Sequence, residues 1–154
     1  MVADGETVSR YILSARWLDK SDPKKPRLRP ETFMAHPDVE TSVFRVGGWD
    51  KNKLRATGVE LANERECKHR VQELAKGRPY PDGKRSILLH GAALILTPDV
   101  RTAGLNVEPA EPPPRHAVIR GWPPLVGNRK RDEAAQLVYA LKLVAKAEFR
   151  AFSL

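Results

Sequence analysis

A chain of 154 residues, 41% apolar and 30% charged, is long enough for a single domain with a core of its own, and it holds no apolar run of the ~18 residues a membrane span needs. Its one cysteine, Cys67, excludes an internal disulfide and fits a reducing compartment, and the acidic, weakly apolar start gives no reason to expect a signal peptide, so the expected location is cytoplasmic. The formal charge of +8 is unevenly spread: residues 1–40 carry seven of each sign, whereas 41–100 and 101–154 each hold a surplus of four cations. That balance favours polyanionic partners or an acidic protein partner.

In chain order, Ser9–Leu18 alternates loosely and is rich in strand formers, which predicts a first strand. A proline-broken loop follows, with four cations among the six residues from Lys24 to Arg29. Thr41–Val46 reads as a second strand with Val43 and Arg45 on one face and Phe44 and Val46 on the other. Gly47-Gly48 ends it, and Asp50 is placed to cap a helix carrying Leu54, Gly58 and Leu61. A further helical piece, Glu64–Lys76, is continuous with it or bent away from it, and Gly77 stops it. Ser86–Leu96 is nearly all apolar and predicts a doubly buried strand or a core helix.

Thr97-Pro98-Asp99 opens a short helix closed by Gly104, and Leu105–Glu108 is a short strand. The segment Pro112–Pro124 reads as a proline-flanked strand, because proline fixes φ and lacks a donor. It points Ala117, Ile119 and Gly121 one way and His116, Val118 and Arg120 the other. A last amphipathic helix is predicted over Asp132–Phe149, with Leu137, Leu141 and Val144 as its apolar stripe, Val138 and Ala145 widening it, and Lys142, Lys146 and Arg150 in solvent. The sum is an α+β single domain over 1–154: a small mixed sheet, helices packed on one side, and a long C-terminal amphipathic helix.

Chemistry is sparsely signposted. Zinc ligand pairs such as C-x2-C are missing, and Cys67 and His69 would diverge on a helix, so no metal and no cofactor are expected. Nucleotide-binding glycine loops and serine-nucleophile motifs are missing too. His36 with Asp38 or Glu40, brought against His116, is the one candidate proton-transfer cluster, with Arg115 and Arg120 as a charge clamp for an anion and Arg45 flanking the site. The candidate polyanion contacts are Lys24, Lys25, Arg27 and Arg29 on one loop and Arg129, Lys130 and Arg131 before the last helix, with Trp122 as the expected partly exposed stacking face.

Two stretches, His36–Arg45 and Pro113–Pro123, together with the alanine- and leucine-rich last helix, resemble a family of small uncharacterised bacterial proteins. The resemblance spans about Tyr11 to Ala147, implies a bacterial single-domain protein, and carries no activity or residue role with it. From the residues, the first expectation is a non-enzymatic basic module that contacts nucleic acid or docks on a nucleic-acid-handling assembly. The alternative is an enzyme for an anionic or phosphorylated small molecule with a His36/His116 site. A third is an accessory protein-interaction subunit of a mobile-element or defence system.

Overall fold

A computed structural model describes residues 2–3, 5–35 and 37–152. Among these residues the strands are β1 (Thr7–Ile12), β2 (Leu18–Asp19), β3 (Arg27–Leu28), β4 (Thr41–Arg45), β5 (Gly91–Leu96), β6 (Asn106–Pro109), β7 (His116–Arg120) and β8 (Glu148–Ala151). The helices are α1 (Lys51–Ala75), α2 (Thr97–Thr102) and α3 (Arg129–Lys146). Six strands form one sheet in the order β6-β7-β4-β1-β5-β8, and β2 pairs with β3 as a separate ribbon. The α+β class therefore stands, with two differences of arrangement. Every ladder is antiparallel rather than mixed, and helices lie on both faces rather than one.

The reason lies in the central strands, which are apolar in both alternations. Val8, Ile12, Val43, Ala93, Ile95, Val107, Ala117 and Ile119 form a core with Val100 of α2 and with Ala140 and Leu143 of α3. The intervening residues Tyr11, Phe44, Ala92 and Leu94 form a second core with Leu54 of α1. The run Ala92-Ala93-Leu94-Ile95 serves both layers, which explains why its sequence shows no period.

The predicted first strand is shorter than expected. Ser14 Oγ accepts from the Arg16 amide at 3.3 Å and caps a 3₁₀ turn at Ala15–Trp17, so the chain leaves the sheet before Leu18 starts β2. Helix α1 is one continuous element, capped where expected: Asp50 Oδ1 accepts from the Lys53 amide at 2.8 Å. Gly77, with φ of 73°, takes the left-handed position just past its end. Its buried residues, Leu54, Gly58, Ala62 and Glu66, lie in its first two-thirds, while Val71 and Leu74 are exposed. Glu66 ties the return segment 78–90 to the helix: its carboxylate accepts from the Tyr80 hydroxyl, from the Ser86 amide at 3.1 Å and from the Ile87 amide at 2.7 Å.

Helix α3 starts three residues earlier and ends three earlier than the sequence suggests, with Asn128 Oδ1 accepting from the Arg131 amide at 3.1 Å. Its buried seam is Asp132, Gln136, Ala140 and Leu143, whereas Leu137, Val138 and Leu141 are exposed. Counting apolar residues misplaces the seam because its two polar members bond the backbone of neighbouring segments. Asp132 accepts from the Val126 amide at 2.8 Å; Gln136 accepts from the Ala35 amide at 2.9 Å and donates to the Asp38 carbonyl at 3.2 Å. After Lys146 the chain turns back, and Glu148–Ala151, predicted as the helix end, becomes the edge strand β8 on β5. No helix among the described residues is long and apolar enough to cross a membrane.

Candidate anion-binding pocket beside Ser42 and His116

Strand β1 places Arg10 between Val8 and Ile12 on an otherwise apolar alternation. The β1–β4 ladder is registered only at Val8↔Arg45 and Ser9↔Phe44. Beyond it, the Arg10 guanidinium takes over the bonding: Nη1 donates to the Ser42 carbonyl at 2.9 Å and Nε to the Thr32 carbonyl at 3.2 Å. Its carbon lies 4.7 Å from the centre of the Trp17 ring. No carboxylate among the described residues pairs with it. Burial pulls its pKa well below the ordinary guanidinium value, to about 10, and repulsion from Arg65 adds to the shift.

Arg65, exposed on α1 and without an ion-pair partner among the described residues, lines the same pocket as Arg10. The pocket holds about 210 Å³ and is walled by Tyr11, Leu13, Phe44, Leu61 and Ile87, with Ser14, Trp17 and Ser42 completing the lining. It contains two guanidiniums and no acid. A larger cleft of about 800 Å³ opens from the same residues toward Arg129 and Lys130, but there Glu31, Asp38, Glu40 and Glu133 match the cations in number. The small pocket is therefore lined by two cations and no carboxylate, although the same two arginines also border the larger cleft.

Ser42 also connects this pocket to His116. The two residues lie on adjacent strands and the same face, Ser42 opposite Val118 and His116 opposite Phe44, and their Oγ and Nε2 atoms are hydrogen-bonded. His116 Nδ1 lies 2.8 Å from the Ala110 carbonyl, which can only accept, so the neutral ring carries its proton on Nδ1 and Nε2 accepts from Ser42. The residue before it, Arg115, has φ of 68°, a left-handed conformation that costs a side-chain-bearing residue ~1 kcal/mol or more. It is braced there by its amide donating to Glu111 at 3.1 Å and its Nε donating to the Arg45 carbonyl at 3.2 Å. The Phe44 ring, edge-to-face with the imidazole and 5.5 Å from it between centres, closes one side.

The other expected residues scatter. His36 lies outside the described residues. Asp38 lines the larger cleft, exposed, with its carbonyl held by Gln136. Arg45 and Arg115 do not clamp an anion, because both are spent on one carboxylate, Glu6, at 2.9 and 3.4 Å. Arg120 pairs with Glu40 and Arg129 with Glu133, each at 2.9 Å. Trp122 is buried at 5% exposure, its indole donating to the Ile119 carbonyl at 3.2 Å, so it plugs the sheet end and offers no stacking face.

The cationic loops do not converge. Lys24 and Lys25 sit exposed on the turn between β2 and β3, and Arg27 of β3 and the following Arg29 are exposed as well. Arg27 and Leu28 share a depression with Leu141 and Val144 of α3, some 18 Å along the helix from Arg129, Lys130 and Arg131 at 1.5 Å per residue. Sequence reasoning missed Arg10, Ser42 and Arg65. The signal for Arg10 is its place on an apolar alternation; for Ser42 there is none without knowing that β4 and β7 are neighbours. A scan against protein-family models, a search of curated proteins and a search of solved structures return no match to this chain.

Proposed function

We propose that the protein binds a small phosphate-bearing molecule in the pocket between Arg10 and Arg65. The observation that supports this reading most is the pair of guanidiniums facing one acid-free pocket. Two such groups repel each other, and a phosphate between them converts that repulsion into charge-assisted hydrogen bonds, each worth ~1.5–3 kcal/mol. The aromatic and aliphatic walls suit the organic part of a phosphate ester, and 210 Å³ is too small for a folded polymer segment. Calorimetric titration with p-nitrophenyl phosphate tests it. Arg65→Ala is expected to weaken binding about tenfold or more, and Lys24→Ala with Lys25→Ala to leave it unchanged. Equal affinity in Arg65→Ala would sink the reading.

Nucleic-acid contact remains a second reading, supported by the +8 charge and by the exposed Lys24, Lys25, Lys130 and Arg131. Its supports are weaker than composition suggests, since the cationic loops lie apart and Trp17 already has Arg10 on its ring. It requires oligonucleotide affinity that falls steeply between ~50 and ~200 mM salt, and losses on mutating the loops rather than Arg65.

A further inference from the structure

The pocket and the Ser42–His116 pair share Ser42, and that juxtaposition carries an inference about chemistry. We infer that Ser42 is a nucleophile and His116 its general base in the hydrolysis of a phosphomonoester held by Arg10 and Arg65; the inference rests on the phosphate-binding reading above. Two geometric requirements of an activated serine are met: toward the neutral ring the hydroxyl donates to Nε2, and the other nitrogen is fixed by a third group. Ser42 also lines the pocket that Arg10 and Arg65 line. The third group is the Ala110 carbonyl, in the position a carboxylate holds in serine triads.

The surroundings restrict the ring as a base needs. Ala110 is locked to His116 through its amide, which donates to the His116 carbonyl at 2.9 Å, and the His116 amide donates to the Pro113 carbonyl at 3.1 Å. The strained Arg115 sits between these anchors, so the loop and the imidazole are held by several independent bonds. Both Ser42 and His116 are half-buried, within reach of solvent and ligand yet shielded by Phe44. Ser42 and His116 also line a groove with Glu64, Arg65, Lys68 and His69 of α1, room for a leaving group to depart.

The step is balanced without a further reactant. Ser42 Oγ attacks phosphorus, its proton passes to His116 Nε2, the bond from phosphorus to the ester oxygen breaks, and the imidazolium returns the proton to the leaving alkoxide. Water then attacks the phosphoserine, giving its proton to His116, and Ser42 leaves with that proton as inorganic phosphate is released. Arg10 and Arg65 hold the equatorial oxygens, where charge is spread in the transition state.

The test uses p-nitrophenyl phosphate with the full chain, reading nitrophenol release, phosphate trapped on the protein by acid quench, and inorganic-phosphate binding by calorimetry. The expected result is turnover with phosphate mapped to the Ser42 peptide. Ser42→Ala abolishes both while still binding inorganic phosphate and melting cooperatively, and His116→Asn lowers the rate 10²–10⁴-fold. Phosphate binding by the wild type without turnover or trapped phosphate overturns the catalytic inference and leaves the binding reading intact. Absence of binding as well overturns both, and turnover that survives Ser42→Ala overturns the assignment of the nucleophile.

Discussion

Glu66→Ala is expected to destabilise the protein by about 2 kcal/mol, because it leaves the buried Tyr80 hydroxyl with only its longer bond to Ser86 Oγ at 3.3 Å and the Ile87 amide without its acceptor. At this chain length such a loss lowers Tm by roughly 4–8 °C. The segment 78–90 has no ladder of its own before β5, and this carboxylate joins it to α1 beside the Arg85–Asn63 bond and the packing of His69 and Arg70 on Tyr80, so it is the part expected to loosen first. The same group makes stability pH-dependent. Burial pushes the Glu66 carboxyl up, but the Tyr80 hydroxyl, the Ile87 and Ser86 amides and the charge of Arg85 outweigh it, leaving the pKa below the ordinary 4.5. A depressed folded-state pKa gives stability that is complete above the ordinary glutamate value and is lost as pH falls through the lower folded one. Thermal melts at pH 6 and pH 3 are therefore expected to differ more for the wild type than for Glu66→Gln. Parallel losses in the two proteins would show that the acid sensitivity lies elsewhere.

Gly91→Val carries a comparable cost by a steric route. A Cβ at Gly91 would stand 2.4 Å from the Arg150 carbonyl oxygen and 2.8 Å from the Phe149 ring, on the line where β5 meets β8. Backbone cannot yield there without breaking the edge ladder, so β8 is expected to detach and take Phe149 and Phe152 out of the two cores. The loss is about 3 kcal/mol or more, from exposed aromatic surface and orphaned strand bonds. Hydrogen exchange reads it directly: the amides of 149–152 lose protection while those of β1 and β4 keep theirs. An unchanged Tm with β8 still protected would contradict the placement of this strand.

Much of the fold was legible where local chemistry decides it. Asp50 and Gly77 mark the ends of α1 because capping needs only a side chain and a backbone conformation at one position. The second strand and the short helix after Thr97 follow from alternation and proline placement in the same way. What failed depended on partners far away in sequence. The seam of α3 is set by Gln136 bonding a chain segment about a hundred residues earlier, so apolar periodicity pointed to the exposed Leu137–Leu141 stripe instead. Strand β8 exists because β5 offers it an edge, a fact local propensity in Glu148–Ala151 does not carry.

The site divides along the same line. His116 is recognisable as a residue presented by a short strand, but its partner Ser42 becomes meaningful only through the β4–β7 pairing. The arginines that composition nominated are largely neutralised by Glu6, Glu40 and Glu133, and those left unpaired at the pocket, Arg10 and Arg65, belong to no charge run. Charge clustering in sequence thus indicates solvated loops here, whereas the pocket's pair of cations arises from two elements meeting.

The most direct measurement is an NMR titration of inorganic phosphate, following the arginine side-chain Nε–Hε resonances. The account predicts that Arg10 and Arg65 shift together and saturate with one affinity, while Arg45 and Arg120, held by Glu6 and Glu40, stay in place. Shifts confined to Arg27, Arg29 and Arg131, or no shift at Arg10 at saturating phosphate, would contradict it.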